Sequence, residues 1–347
     1  MPSFTVFATR RDIVAPGFPH RLSRRLCRGD VDFEPQVSGF AGWLSQSGEM
    51  TTRIYHLLLH VGRVQHRFDL EVAEEYLGPF SAWLAHVNAV CFVNEEMSVR
   101  DPVGRTLLSF NLPAGDPQAE VPYFPQALER RARSQALLAE RGIDTLANLP
   151  PVVCEPELTL RTPDEAARRC LALAAVAVRA ETLNDGNAVA VKQIRAALGY
   201  DPADLSPSEA DFMREPGFLR PVARPDPQTI VNHGWRYEAA ATLMWVLGLQ
   251  GELLFPSAMV DAGPAVQQLS DLGGRRLVAE AALRPAGEIL DQLDLTYRLH
   301  WALTEARLGR RNTYEGVEPG VVKERHHVLN WLVRFDDADW DQVTTPT

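Results

Sequence analysis

The stretch TPDEAARRCLALAAVAVR, Thr162–Arg179, decides how the second half of the chain must fold. Thr162 and Glu165 stand three residues apart with Pro163 between them, which is a capping box with proline at the first helical position. The threonine hydroxyl can accept from the amide of residue 165, and the glutamate can accept from the amide of residue 162. Proline loses nothing there, because that amide has no partner inside a helix. Beyond Arg169 the run Cys170–Val178 carries no polar side chain. A helix that is apolar nearly all round has no face to offer water, so it is expected at the centre of a helical domain. The run is too short to span a bilayer, and Arg169 and Arg179 bracket it, so the reading is core rather than membrane.

Working outward, the chain on the C-terminal side reads as helix after helix. Asp226-Pro227 repeats the cap-then-proline start and opens a helix expected to run to Leu249. Further helices fit Val189–Leu198, Ala265–Leu272, Pro285–Leu308 and Gly320–Arg334. No period-2 alternation interrupts them, and no fixed repeat supports a solenoid. Asp336–Asp341 reads as an acidic, aromatic tail. On the N-terminal side, Gln126–Arg141 is a helix closed by Gly142 at the position that favours left-handed backbone. It lies between two irregular stretches: 113–125 (PAGDPQAEVPYFP) and Ile143–Arg161, which carries Pro150, Pro151 and Pro156.

Residues 1–112 have a different texture. Phe4–Thr9, Arg53–Val61, Val64–Leu70, Ala89–Asn94 and Arg105–Phe110 read as strands, the last entered through the turn Asp101-Pro102-Val103-Gly104. In the second of these, Tyr55, Leu57, Leu59 and Val61 share one face of a period-2 pattern. Val72–Val87 keeps a 3.6-residue period and reads as an amphipathic helix that Pro79 should kink or shorten. The fold class is therefore α+β: a small α/β sandwich-like domain (1–112), a proline-rich linker with one helix at 126–141 (113–161), and a compact all-α domain (162–347).

Composition excludes several roles. The 347 residues carry a formal net charge of −10. A nucleic-acid binder needs a basic face to neutralise phosphates, so none is expected. Arg21, Arg24, Arg25 and Arg28 cluster early but read as a solvated helix face. Lys192 and Lys323 are the only lysines, which marks the arginine content as a general bias of the sequence. Cys27, Cys91, Cys154 and Cys170 are too widely spaced for a disulfide framework or a Cys/His zinc site. MPSFTVFATRRD lacks the apolar core of a signal peptide, and no membrane association is expected. These features together place the protein in a reducing cytoplasm.

The residues that could carry chemistry sit in the last third, in LDLTYRLHWALTEARLGRR (Leu293–Arg311) and GVVKERHHVLNWLVRFDDADWD (Gly320–Asp341). Arg236 shares a stripe with Ala239, Ala240, Leu243, Val246 and Leu247. Arg325 lies between Val321/Val322 and Val328/Leu329/Leu332. Arg298 has Asp294 four residues before it and Trp301 three after, all on one side of a helix. A guanidinium on an apolar face needs a carboxylate or a bound anion, because an unpaired buried charge is costly. Glu238, Asp294, Glu305 and Glu324 are the nearest carboxylates. One reading is a structural salt-bridge network that locks three helices. The sharper reading is an anion pocket with Arg236, Arg298 and Arg325 as clamps and Tyr297, His300, His326 and Asn330 around them.

His233, His300, His326 and His327 invite a metal or acid–base role. No HxxxH, HExxH or Glu-x-x-His spacing occurs, so no metal and no other cofactor is expected. The tryptophans read as core. The tail Asp336, Asp337, Asp339 and Asp341 lacks the glycine and terminal glutamate of a calcium loop. There is no GxGxxG, Walker loop, GxSxG elbow or kinase signature.

Taken as a set, RRARSQALLAERGI (Arg130–Ile143), Ala167–Arg179, WRYEAAATLMWVLGL (Trp235–Leu249), LDLTYRLHWA, ERHHVLNWL (Glu324–Leu332) and WDQVTTPT (Trp340–Thr347) resemble a family known as domain of unknown function 4272. The resemblance covers roughly residues 126–347. It implies a bacterial-type, cytoplasmic helical domain and implies no activity. The expectation for function is a non-catalytic binding or interaction module, with a basic protein partner as one fit to the acidic charge. The alternative is an enzyme or small-molecule sensor that binds a small anion in an Arg/His/Tyr pocket between C-terminal helices.

Overall fold

The computed structural model describes residues 1–12, 14–109, 115–215, 224–309 and 314–347. Phe110, Pro113, Ala114, Arg310 and Arg311, which belong to segments read above, lie outside the described residues. The chain divides into two units: Met1–Glu129 with Val153–Leu158, and Arg130–Val152 with Thr159–Thr347.

The first unit is built on an antiparallel sheet of six strands: β1 (Ser3–Ala8), β2 (Arg21–Cys27), β3 (His66–Glu71), β4 (Ala89–Val93), β5 (Ser98–Arg100) and β6 (Thr106–Ser109), in the order β2-β3-β1-β4-β5-β6. Side-chain alternation sends the two faces of the sheet to different cores. Phe4, Val6 and Ala8 of β1 join Phe68 and Leu70 of β3 and Ala89, Cys91 and Val93 of β4 under helix α3 (Leu77–His86), which contributes Phe80, Trp83 and Leu84. Phe7 and Val90 face the other way. They meet α1 (Phe33–Gln46) through Phe33, Val37 and Leu44, and α2 (Thr52–Arg63) through Leu57 and Val61. Helices cover both faces of the sheet, as a sandwich-like α+β unit requires. Pro79 shortens the helix read at Val72–Val87: α3 opens at Leu77, so the proline falls in its first turn, where it is tolerated.

Two stretches differ from their sequence reading. Arg53–Val61 is not a strand but the body of α2. Thr51 caps it by accepting from the Ile54 amide at 3.2 Å, and Ile54, Leu57 and Val61 are buried at helical spacing, while Tyr55 is exposed. Leu57 and Val61 fit both periods; Ile54 fits only the helix. The Arg21–Arg28 cluster is not a helix face either. Most of it is β2, an edge strand, where charged side chains keep the unpaired backbone from recruiting another chain.

In the second unit, α4 (Pro125–Glu140), which begins in the first unit, leads to Gly142 at φ +69°. α5 (Pro163–Asn184) is the buried central helix, with every residue from Cys170 to Ala177 buried. Its capping box forms as read: Thr162 Oγ1 accepts from the Glu165 amide at 3.2 Å, and Glu165 accepts from the Thr162 amide at 2.7 Å. Around it stand α6 (Val191–Leu198), α7 (Pro207–Phe212), α8 (Pro227–Gly234), α9 (Arg236–Val246), α10 (Ala262–Leu272), α11 (Gly274–Ala279), α12 (Ala286–Leu308) and α13 (Pro319–Leu332). α5 packs on α6, α8, α9 and α11, and α13 packs on α9 and α12. The single helix expected from Asp226 is two, broken at Trp235. Gly320 explains how α13 fits there: a Cβ on it would come within 2.2 Å of the Trp235 ring. No helix among the described residues is long and apolar enough to cross a membrane.

Candidate functional site

The polar residues of the helical unit gather in three places. The first is on α12. Arg298 and Asp294 are fully buried, one turn apart. Arg298 donates through Nε and Nη2 to both carboxylate oxygens of Asp294, at 2.8 and 2.9 Å. Its remaining donors reach the carbonyls of Leu149 and Pro150, at 3.3 and 3.1 Å. The forked contact satisfies the guanidinium from one side and the loop carbonyls from the other, which is what an enclosed charge needs. Tyr297, the preceding residue, sets its ring 5.9 Å from the Arg298 guanidinium.

The second place is the α9–α13 seam. Arg236 Nη1 donates to Glu324 at 2.8 Å. Arg325 Nη1 donates to the carbonyl of Leu254 at 2.6 Å, and Glu238 accepts from the amide of Val260 at 2.5 Å. Burial pushes Glu238 and Glu324 above the usual carboxylate range, against the pull of Arg325 on the first and Arg236 on the second. Burial likewise pulls Arg325 down. Arg236, Glu238, Glu324 and Arg325 thus form one alternating charge group, whereas Arg298 is turned to its own helix and to the Leu149–Pro150 loop. The Nε atoms of Arg236 and Arg325 are buried with no hydrogen-bond partner.

The histidines lie at the third place, with the C-terminal segment. His300 of α12 and His326 of α13 meet Nδ1 to Nδ1 at 2.9 Å, and Tyr297 packs on His326 at 5.8 Å between ring centres. Burial holds His300 down at about 4 and His326 well below its ordinary value. With both rings neutral, one Nδ1 carries a hydrogen and the other accepts it. Asn330 donates to the carbonyl of Thr344 at 2.9 Å. His327, pulled to about 4 by burial and then by Arg236, bonds the carbonyl of Trp340 at 3.1 Å.

Trp340 is the centre that sequence reasoning passed over as ordinary core. Its ring lies 4.8 Å from the Arg169 guanidinium and 5.6 Å from that of Arg236, and it packs edge-on against His327 and Trp331. Arg169 in turn pairs with the buried Glu209, and Asp341 accepts from the amide and hydroxyl of Ser208, at 3.0 and 2.8 Å. Arg161 stacks on Trp331 at 4.9 Å and donates to the carbonyl of Ala338 at 2.8 Å. These contacts tie the tail to helices far away in sequence. The readable signal was Ser206-Pro207-Ser208-Glu209, a second capping box that places Glu209 at the start of α7.

No set of three or more metal-ligating side chains comes together among the described residues. The family described as Domain of unknown function (DUF4272) matches residues 130–343, more than half of the chain, and the chain belongs to that family. No curated protein matches, and no solved structure matches.

Proposed function

We propose that this member of the DUF4272 family is a non-catalytic binding protein whose helical unit is a rigid scaffold. One observation carries the reading: the polar groups that could do chemistry are engaged with one another. Arg298 directs its donors to Asp294 and two carbonyls with no exposed surface left. His326 is buried and His300 and His327 are half-buried; all three are pulled below the ordinary histidine value and bonded to each other or to backbone. A general base must reach its substrate's proton, and Nδ1 of His300 and His326 and Nε2 of His327 are taken up by protein partners. The scaffold would serve a protein partner or a small ligand held elsewhere on the chain.

A second reading has one observation in its favour. The orphaned Nε atoms of Arg236 and Arg325 are donors at one helix seam, and a small anion there would supply acceptors. On that reading the protein is an anion sensor or an enzyme.

Arg236→Ala and Arg325→Ala separate the two by thermal unfolding and by calorimetric titration with inorganic phosphate. The scaffold reading predicts a lower melting midpoint and no phosphate binding in either the parent or the variants. The sensor reading predicts phosphate binding in the parent that is lost while the fold survives. Variants that melt like a parent that binds no phosphate would refute both roles for these arginines.

A further inference from the structure

The N-terminal sheet carries a cleft lined by residues of the first unit alone. It has a volume of about 320 Å³, and its walls include Thr5, Phe7, Gly39, Phe40, Arg67 and Phe92. That volume suits a ligand of one or two rings. We propose that this cleft binds a small aromatic carboxylate, its ring against Phe40 and Phe92 and its carboxylate on Arg67.

The walls follow from strand register. On β1 and β4, Thr5 stands opposite Phe92; on β1 and β3, Phe7 stands opposite Arg67, so aromatic and cationic residues share the sheet face that α1 covers. Phe40 of α1 stacks on Phe7 with ring centres 4.1 Å apart and meets Phe92 edge-on at 6.1 Å. This pairing fixes the aromatic walls in place, and offset or edge contacts with a third ring are the arrangement such walls favour. Gly39 leaves the space open. A Cβ there would meet no atom within 4 Å, and the helical backbone at that residue needs no glycine.

The charge argues for an anion. Arg67 is mostly buried, with 14% of its side chain exposed; it gives Nη2 to Asp69 at 2.9 Å, while its Nη1 is buried with no hydrogen-bond partner. Asp69 also accepts from Thr5 at 2.9 Å, so its capacity is shared. Arg24 adds positive potential at Arg67, although Asp32 pairs with it. Asp32 makes no side-chain cap on α1, whose first turn contributes Pro35 and Gln36 to the cleft. Arg67 lines the cleft, so a carboxylate at that end would meet the guanidinium, and charge-assisted bonds of this kind are the strong ones.

The test uses the full-length, 15N-labelled protein titrated with benzoate, with benzamide as the uncharged control. The expected result is saturable shifts of the Thr5, Phe7, Gly39, Phe40 and Phe92 amides, at least tenfold weaker with benzamide. Arg67→Gln should reduce benzoate binding to the benzamide level. Gly39→Phe, which fills the cleft without displacing any atom at its Cβ, should abolish binding of both and keeps the test decisive if Arg67→Gln folds poorly. Absence of saturable shifts in the parent overturns the proposal, and so does equal binding of benzoate and benzamide, or binding unchanged by Gly39→Phe. Neither variant touches the helical arginines, so failure here leaves the scaffold reading standing, and failure of that reading leaves the cleft to be judged on its own titration.

Discussion

Removing the carboxylate of Asp294 should be among the most damaging single changes in the helical unit. Asp294→Ala leaves the Arg298 guanidinium fully buried with only the Leu149 and Pro150 carbonyls as partners. Two charge-assisted bonds, at 2.8 and 2.9 Å, disappear, and one formal charge is left without its counter-charge. Breaking a buried pair in this way costs roughly 3–5 kcal/mol. In a unit of about two hundred residues each kcal/mol moves the melting midpoint by roughly 2–4 °C, so the expected drop is roughly 6–20 °C. The double variant Arg298→Met with Asp294→Leu removes both charges and refills the space. It leaves the two loop carbonyls without a donor, at roughly 1–3 kcal/mol each at most, so it should not reach the parent. It should nonetheless melt above Asp294→Ala, because no charge remains buried alone. Differential scanning calorimetry of the parent, Asp294→Leu, Arg298→Met and the double variant measures this coupling, with Asp294→Ala alongside. The reasoning fails if Asp294→Ala melts within about 2 °C of the parent, or if the effects of Asp294→Leu and Arg298→Met simply add in the double.

Acid should destabilise the fold before its carboxylates are neutralised. Burial lowers His60 to about 4, so between its unfolded value near 6.5 and pH 4 the unfolded chain binds the proton and the native chain does not. Stability therefore falls as pH drops through that window, by roughly 2 kcal/mol at pH 5 from this fully buried ring alone, with His326 acting in the same direction; urea midpoints that are equal at pH 7.5 and pH 5 would contradict it. Gly320→Ala should destabilise although alanine is the better helix former by roughly 1 kcal/mol, because its Cβ would fall 2.2 Å from the Trp235 ring; a raised melting midpoint would show that the ring moves aside freely. Native thiol labelling should modify Cys27 first, since Cys91, Cys154 and Cys170 are buried and their thiols are pushed up to about 12, so rapid loss of more than one thiol per folded chain would argue against these positions.

What the sequence made legible was governed by distance along the chain. The α5 start could be read because Thr162 and Glu165 satisfy each other within one turn. The Arg298–Asp294 pair was legible for the same reason, four residues apart on one helix. α2 was misread because Leu57 and Val61 satisfy both a two-residue and a helical period, and the deciding residue, Ile54, lies at the edge of the stretch. α1 escaped notice because Pro35, Gly39 and Gly42 dilute its helical signal, and one of those glycines opens the cleft on the sheet. β2 was missed because an edge strand rich in arginine has no apolar alternation to show.

The partners of the other arginines follow the same rule in reverse. Arg325 ends on the carbonyl of Leu254, Arg169 on Glu209 and Arg161 on Ala338, each from another part of the chain. Backbone carbonyls carry no mark in a sequence, so a buried arginine that ends on one looks from its neighbours like an arginine awaiting a ligand. That is why the apolar stripes around Arg236, Arg298 and Arg325 could suggest a single clamp. Arg236 and Arg325 do share a seam, with Glu324 and Glu238 between their charges. Arg298 is satisfied within α12 and the loop beside it. Trp340 shows the opposite side of the same physics. A lone tryptophan near the end of an acidic tail gives no hint that Arg169, Arg236, His327 and Trp331 converge on it, yet their convergence anchors that tail to the helical unit.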